Sequence, residues 1–132
     1  MKYLGVDYGA KRVGLAVSDF SESFAMPLKV IEYFVHYEDV LEEVLRICKE
    51  ENIDEIVVGE SKNFSQKENK IMTEIKDFVS ELKKESGLPV HFHPEFLTSQ
   101  EAKRLQGDNN KNDASAAAII LKSYLDTINN KK

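Results

Sequence analysis

The stretch that decides the fold lies near the amino terminus and reads Leu4-Gly5-Val6-Asp7-Tyr8-Gly9-Ala10-Lys11-Arg12-Val13-Gly14-Leu15-Ala16-Val17. Two apolar runs in it are separated by a polar segment that contains an acid and a glycine. In the second run, valine or leucine alternates with smaller or polar residues, which is the periodicity of a β-strand. The stretch therefore predicts a hairpin of two antiparallel strands, with Asp7 at the end of the first strand.

Downstream of the hairpin, the apolar pattern predicts a third strand, then strands that alternate with helices. A glycine follows the second helix, where a helix C′ glycine belongs, and Thr98-Ser99-Gln100-Glu101 has the spacing of a capping box. The predicted elements are a strand over 27–34, a helix over 37–48, a strand over 56–59, a helix over 71–82, a strand over 88–93, a short helix from Thr98 to near Gly107 and a helix over 114–128. The order β-β-β-α-β-α-β-α-α predicts an α/β fold, a mixed five-stranded sheet covered by helices.

Length and composition bound the class of protein. The 132 residues predict one domain spanning 1–132, and 42% hydrophobic with 31% charged residues is typical of a folded globular chain. No apolar run approaches the roughly 20 residues needed to cross a bilayer. The early Asp7 interrupts any signal-peptide core, and the single cysteine, Cys48, excludes an internal disulfide. We expect a cytoplasmic protein without membrane association, in which Cys48 is inert core.

The net charge of −5 is unevenly distributed. Residues 36–55 hold eight acids and two bases, a net charge of −6, so the rest of the chain sums to +1. An average charge therefore says little about any one face, and the sequence permits a surface that binds nucleic acid.

Four carboxylates fall at the ends of predicted elements. Asp7 ends the first strand, Glu60 follows the fourth, Glu95 follows the fifth, and Asp113 begins the last helix. Ligands of open α/β sheets bind at the carboxyl edge of parallel strands, so these acids are candidates for one site. Clustered carboxylates repel one another, and a hard divalent cation such as Mg²⁺ or Mn²⁺ relieves that repulsion. Taken singly, each acid is equally well explained as a solvated loop residue or a helix N-cap.

The motifs that follow carry a resemblance. Gly5 to Asp19 resembles the opening of the YqgF/RuvX family of Holliday junction resolvases and pre-16S rRNA nucleases. Three later matches follow in the family's order and extend the resemblance over nearly the whole chain: Ile56-Val57-Val58-Gly59, then Glu95 to Ser99 with Ala102, then Asn112 to Ala117 leading to Ile120 to Leu125. The resemblance implies a ribonuclease H-like fold, in agreement with the predicted order of elements.

The resemblance also implies site residues and a cofactor. The catalytic and metal-binding carboxylates of the family fall on Asp7, Glu95 and Asp113, which would hold Mg²⁺ or Mn²⁺, with two ions when substrate is bound. Glu60 is a candidate supplementary ligand. The bases that could neutralise backbone phosphates are Lys11, Arg12, Lys103, Arg104 and Lys111, for each of which a solvated surface position is the alternative.

Two segments depart from the family pattern. The acid, glutamate and arginine that the family carries before its threonine read Pro94, Glu95 and Phe96, so an arginine contact to phosphate is missing. The leucine-proline and glycine-bearing loop that follows the fourth strand is replaced by residues 60–66. These departures leave substrate preference and rate open.

The leading hypothesis is a metal-dependent endonuclease acting on pre-16S rRNA or branched DNA, as a monomer or homodimer. One alternative is a non-catalytic adaptor that binds nucleic acid, favoured by the altered Pro94-Glu95-Phe96 motif. Another is an ATPase of the actin and sugar-kinase type, because Asp7-Tyr8-Gly9 also resembles a first phosphate loop. Such ATPases need two domains, and 132 residues suffice for one. His91 and His93 alternate on a strand and should share a face, as partly buried residues or as a pair of ligands for a soft metal.

Overall fold

The computed structural model describes residues 1–9, 12–19, 21–32, 37–61, 67–95 and 112–130, and within them all side chains except those of 37, 60–61, 67–72, 94–95 and 112–115. These residues form five strands and three helices. They are β1 (Tyr3–Tyr8), β2 (Arg12–Ser18), β3 (Ala25–Glu32), α1 (Tyr37–Glu50), β4 (Glu55–Ser61), α2 (Lys67–Ser86), β5 (Val90–Glu95) and α3 (Asn112–Asn130). The short helix predicted from Thr98 lies outside the described residues.

The strands form one sheet in the order β3-β2-β1-β4-β5. β1 pairs antiparallel with β2, and β2 with β3, whereas β1 with β4 and β4 with β5 are parallel. The predicted mixed five-stranded sheet is confirmed. β3 begins at Ala25, two residues before the predicted start, because Ala25 pairs with Ser18 at the end of β2.

One face of the sheet is covered by α1 and α2, and large apolar side chains fill the space between them. In both helices, apolar residues recur every three or four positions and form one apolar stripe. Each stripe packs against the alternate strand side chains that point to this face of the sheet. The largest fully buried side chains of this cluster are Phe78, Leu4, Leu15, Ile56, Ile75 and Leu82. Cys48 lies in the same cluster, and burial raises the pKa of its thiol to about 11, as expected of an inert core residue.

The other face is covered by α3, which approaches β1 closely at Gly5. A Cβ atom built on Gly5 would lie 2.9 Å from the carbonyl oxygen of Ala117 and 2.9 Å from Cβ of Leu121. Only glycine therefore fits under this helix. Tyr3 packs edge-on against Tyr124, with 5.8 Å between ring centroids. Since Tyr3 lies beside Tyr124 and Gly5 beside Ala117, α3 runs antiparallel to β1.

Two connections match their sequence signals. Gly87 has a φ of 70°, and its backbone N–H donates to the carbonyl of Lys83, so it ends α2 as the predicted C′ glycine. Asp19 begins the loop after β2, where its carboxylate accepts hydrogen bonds from Ser21, Ser23 and Phe24. These bonds hold the pKa of the Asp19 carboxyl below its usual value. Across the described part of the chain, none of the helices has the length and apolarity that a bilayer span requires.

Candidate active site

The carboxyl ends of β1, β4 and β5 meet at one edge of the sheet, because the three strands are mutually parallel. Val6 pairs with Val58, and Gly59 pairs with His93. Continuing the first register by one residue brings Asp7 level with Gly59 and His93. The sequence-based expectation that these strands share an edge is therefore confirmed, and Asp7 lies at that edge.

Asp7 is half-buried and lies on the face that α3 covers. Its strand neighbours Val6 and Tyr8 are buried on the opposite face, and Asp7 itself pairs with Gly14 of β2. The residue level with it on the other side is Gly59. The residues directly beside Asp7 on β2 and β4 are therefore both glycines, and neither adjacent strand carries a side chain at that level.

Asp113 lies in the first turn of α3, one turn before Ala117. Ala117 contacts Gly5, and Asp7 lies two residues beyond Gly5. Two residues of strand advance about 7 Å and four of helix about 6 Å. Because α3 is antiparallel to β1, both advances lead toward the same edge of the sheet. The side chain of Asp113 lies outside the described side chains.

Glu95 is the last residue of β5 and pairs with Ser61. It is two residues beyond His93, so strand alternation assigns position 95 to the face of Asp7, about 7 Å further along the strands. Position 60 alternates with position 59 and therefore belongs to the face of Val58, opposite to Asp7. This weighs against Glu60 as a supplementary ligand. The side chains of Glu95 and Glu60 also lie outside the described ones.

The predicted metal site depends on these undescribed side chains. Among the side chains that the structure describes, no group of three or more histidine, cysteine, aspartate or glutamate residues could hold a metal ion. The chemistry of the candidate set is suitable, since three carboxylates are the hard oxygen ligands that Mg²⁺ and Mn²⁺ prefer. Asp7, Glu95 and Asp113 therefore stay a predicted ligand set, with the backbone directing all three positions toward one edge.

Arg12 is the predicted phosphate contact that the structure describes. It begins β2, two residues before Gly14, so it lies on the Asp7 face. Its guanidinium is exposed and its Nε lies 3.9 Å from a carboxylate oxygen of Glu32, a long ion pair on the same row of the sheet. The other four candidates, Lys11, Lys103, Arg104 and Lys111, fall outside the described residues.

The histidines of β5 form a polar and aromatic cluster with α3. Nε2 of His93 is 2.8 Å from the hydroxyl oxygen of Ser123, and Nε2 of His91 is 2.7 Å from a carboxylate oxygen of Glu55. Both rings contact Tyr124, that of His91 by stacking and that of His93 edge-on. Burial lowers the pKa of His93, which favours the neutral ring. The prediction that the two histidines share a face is confirmed, and the contacts described for them are to side chains of the fold.

Sequence reasoning missed one contact next to the candidate site. The Tyr8 hydroxyl donates to Oε1 of Glu74 at 2.8 Å, and its ring packs on Phe78, with 5.0 Å between centroids. Tyr8 directly follows Asp7. The separation of 66 residues between Tyr8 and Glu74 explains why no local pattern could have found this pair.

Solved structures define the class of fold. The chain is similar to "Thermus thermophilus RuvC structure", with a TM-score of 0.68 and 18% identity over 98% of this chain and 97% of that one. It is also similar to a fowlpox virus resolvase solved with Holliday junction DNA, with a TM-score of 0.60 and 14% identity over 97% and 99% of the two chains. The fold is thus ribonuclease H-like, as expected.

The sequence itself matches the family described as "RuvX: Holliday junction resolvase" over residues 1–127, and the chain belongs to that family. Curated relatives are named "Putative pre-16S rRNA nuclease". One from Maridesulfovibrio salexigens is 34% identical and is matched over 95% of this chain and 98% of its own length. One from Dictyoglomus turgidum is 35% identical over 97% and 96%. The family predicted from the motifs is confirmed, and the predicted nuclease class agrees with these names.

Proposed function

We propose that the chain is a metal-dependent endonuclease that hydrolyses phosphodiester bonds in structured nucleic acid. The observation that carries the proposal is the close packing of α3 on Gly5, with Ala117 against β1 two residues before Asp7. This packing directs the first turn of α3, which contains Asp113, toward the edge where Asp7 lies. Glu95 ends the outer parallel strand on the same face by alternation.

In this proposal Asp7, Glu95 and Asp113 hold Mg²⁺ or Mn²⁺, with two ions in the complex with substrate. The chemistry that the ions supply when bound is the activation of a water molecule and the stabilisation of the leaving oxygen. Asp7 contributes a half-buried carboxylate on a strand that is hydrogen-bonded to β2 through Gly14. Arg12, on the same face, is placed to neutralise a backbone phosphate beside the site, in competition with Glu32.

The substrate that we propose first is the 5′ end of pre-16S rRNA, and the second is branched DNA. The names of the curated relatives favour the RNA, and the description of the family favours the DNA junction. Symmetric cutting of a junction would require two copies of the site, hence a homodimer, whereas processing of one RNA end requires one. We expect either activity in the cytoplasm.

A non-catalytic adaptor is the second candidate function. It is favoured by the Pro94-Glu95-Phe96 segment, in which the family's acid and arginine are replaced. An adaptor would bind nucleic acid in a salt-sensitive way without cutting it under any metal. An ATPase is disfavoured by the family match over residues 1–127, and nucleotide-dependent stabilisation of the fold would be its signature.

The experiment is a parallel cleavage assay on an rRNA precursor and a four-way DNA junction, with Mg²⁺ or Mn²⁺. Wild type is compared with Asp7→Asn, which keeps the size of the side chain and removes its charge. The matched control is Asp77→Asn, on the exposed surface of α2. We expect cleavage by wild type and Asp77→Asn, and none above background by Asp7→Asn. Equal cutting by all three would mean that a contaminant cuts, and the proposal would lose its basis.

A further inference from the structure

β1 carries a buried tyrosine at each end. Tyr3 begins the strand and Tyr8 ends it, and each is only 4% exposed. The Tyr8 hydroxyl donates to Glu74 at 2.8 Å, whereas burial and the nearby charge of Glu55 raise the pKa of the Tyr3 hydroxyl. The two residues point to opposite faces, because they are separated by an odd number of positions. They are a matched pair that differs in distance from Asp7.

The carboxyl end of β1 is held asymmetrically within the sheet. On the β2 side, the pairing continues through Asp7 with Gly14 and Tyr8 with Val13. On the β4 side, the ladder ends at Val6 with Val58. Asp7 therefore lies one residue beyond the last pair between β1 and β4, and its own pair is with Gly14 of β2.

Tyr8 restrains this end of β1 from the face that α1 and α2 cover. Its hydroxyl donates to Glu74 and its ring packs on Phe78, both on α2. Ile75, Phe78 and Leu82 of α2 are buried in the core of the α1 and α2 face, so this helix is a fixed support. The next residue, Gly9, donates its N–H to the carbonyl of Arg12 and begins the turn. Tyr8 is thus the last side chain that ties β1 to the core.

We propose that Tyr8 and Glu74 are a positioning pair, which fixes the end of β1 so that the Asp7 carboxylate faces the cation site. The inference rests on the proposed function. Tyr8 and Glu74 act through the backbone of Asp7 and lie on the opposite face of the sheet, so neither touches substrate. Residues that orient metal ligands typically change metal affinity or activity by roughly ten- to hundredfold when they are altered. Because this pair acts through one peptide unit, we expect about tenfold, at the lower end of that range.

The test compares Tyr8→Phe with Tyr3→Phe. Both variants lose one buried hydroxyl near a glutamate and keep the packed ring, but only Tyr8→Phe loses a hydrogen bond that the structure shows. We measure the Mg²⁺ concentration that gives half-maximal cleavage, together with unfolding by urea. The expected result is an approximately tenfold increase in that concentration for Tyr8→Phe and no change for Tyr3→Phe, with similar shifts of the urea midpoint. A merely structural role would move the midpoints and leave the Mg²⁺ dependence of both variants at the wild-type value.

Variants of the partner check the assignment. Glu74→Gln keeps an acceptor oxygen for the Tyr8 hydroxyl and should retain the wild-type Mg²⁺ dependence. Glu74→Ala should reproduce Tyr8→Phe, and the double variant Tyr8→Phe with Glu74→Ala should be no worse than either single variant. Additive effects of the two changes would contradict a pair that acts as a unit.

Calorimetric titration with Mg²⁺ alone separates this inference from the proposed function. If wild type cuts neither substrate but binds Mg²⁺, the nuclease proposal fails, and roughly tenfold weaker binding by Tyr8→Phe with unchanged binding by Tyr3→Phe still supports the positioning pair. Equal binding by wild type and both variants would overturn the pair. Absence of Mg²⁺ binding by wild type would overturn it as well.

Discussion

The two faces of the sheet differ in how closely a helix approaches β1, because large side chains of β1 fill one face and Gly5 lets α3 come into contact on the other. The face under α1 and α2 is built of leucine, isoleucine, valine and phenylalanine, which form the larger of the two core clusters. On the face under α3, the residues next to Asp7 are small. Gly5 contacts Ala117, and the residues level with Asp7 on the adjacent strands are glycines. Large side chains hold the sheet from one side. Small residues on the other face let α3 approach β1 closely, two residues before Asp7.

β1 contributes residues to both faces of the sheet. Along β1, Leu4, Val6 and Tyr8 are buried toward α1 and α2, whereas Gly5 and Asp7 alternate with them toward α3. A shift of register by one residue would exchange the two sets and remove Asp7 from its face. The same alternation that builds the core therefore orients the candidate catalytic residue.

The largest expected effect is on the free energy of unfolding, when a buried ring is removed from the core of the α1 and α2 face. Phe78→Ala removes a fully buried ring that packs on Tyr8, and we expect a loss of about 3–5 kcal/mol in the free energy of unfolding. Urea denaturation measures it. Phe92→Ala is the matched control, because the Phe92 side chain is 36% exposed on β5 and should cost much less. Equal losses for the two variants would contradict the assignment of the core.

On the α3 face, we expect a substitution that lowers stability less than Phe78→Ala does but lowers cleavage more. Gly5→Ala would place a Cβ atom 2.9 Å from backbone and side-chain atoms of α3, so the helix must move away from β1. We expect a cost of about 1–3 kcal/mol, as for other overpacked sites. Moving α3 also moves Asp113 relative to Asp7, so cleavage per folded molecule should fall, as measured on samples matched by circular dichroism.

The control for Gly5→Ala is Gly87→Ala. Gly87 has open space around it but a left-handed backbone, so alanine there should cost about 1–2 kcal/mol through strain alone. Cleavage per folded molecule should stay at the wild-type level, since Gly87 precedes the amino end of β5, opposite to the edge of the sheet where Asp7 lies. If both glycine variants lowered cleavage equally, the close approach of α3 would not be what assembles the site.

The smallest expected effect on stability comes from the ion pair between Lys29 of β3 and Glu43 of α1. The hydrogen bond and charge of Lys29, with those of Arg46, hold the pKa of the Glu43 carboxyl below its usual value. A lowered carboxyl pKa stabilises the fold above the unfolded pKa of about 4.5, and this stabilisation is lost as pH falls through the folded pKa. Lys29→Met should cost only about 0.2–1 kcal/mol at pH 7, because the pair is exposed, and the cost should shrink below pH 4.

Urea denaturation of wild type and Lys29→Met at pH 7 and pH 3.5 checks this sign. The comparison is Lys122→Met, which removes an exposed ion pair with Asp126 within α3. A difference between wild type and Lys29→Met that grew at acid pH would contradict the role of Glu43.

Most of the fold could be predicted from the sequence, because each element carries a local signal. The alternation in 13–17, the three-and-four periodicity of α1 and the glycine after α2 each act within a few residues. The long-range contacts carried no such signal. Tyr8 meets Glu74 across 66 residues, and Glu55 meets His91 across 36, so their pairing depends on how β1 and β5 flank β4.

The candidate site could be predicted as a set of positions and not as a geometry. Asp7 was recognisable because an acid ends an apolar strand and precedes a turn, and its edge location is confirmed. Glu60 was plausible because a fourth strand beside the first would place it near Asp7. The alternation of side chains along β4 assigns position 60 to the other face of the sheet. A run of consecutive apolar residues does not show which of them point to which face.

We expect Asp7, Glu95 and Asp113, three acids distant in sequence, to bind one cation on the α3 face. Calorimetric titration with Mn²⁺ of wild type, Asp7→Asn, Glu95→Gln and Asp113→Asn measures this binding, with Glu60→Gln as the comparison from the opposite face. Wild type and Glu60→Gln should bind Mn²⁺, and each of the other three variants should bind it weakly or not at all. Wild-type affinity in Asp113→Asn or Glu95→Gln would show that these acids do not share a cation.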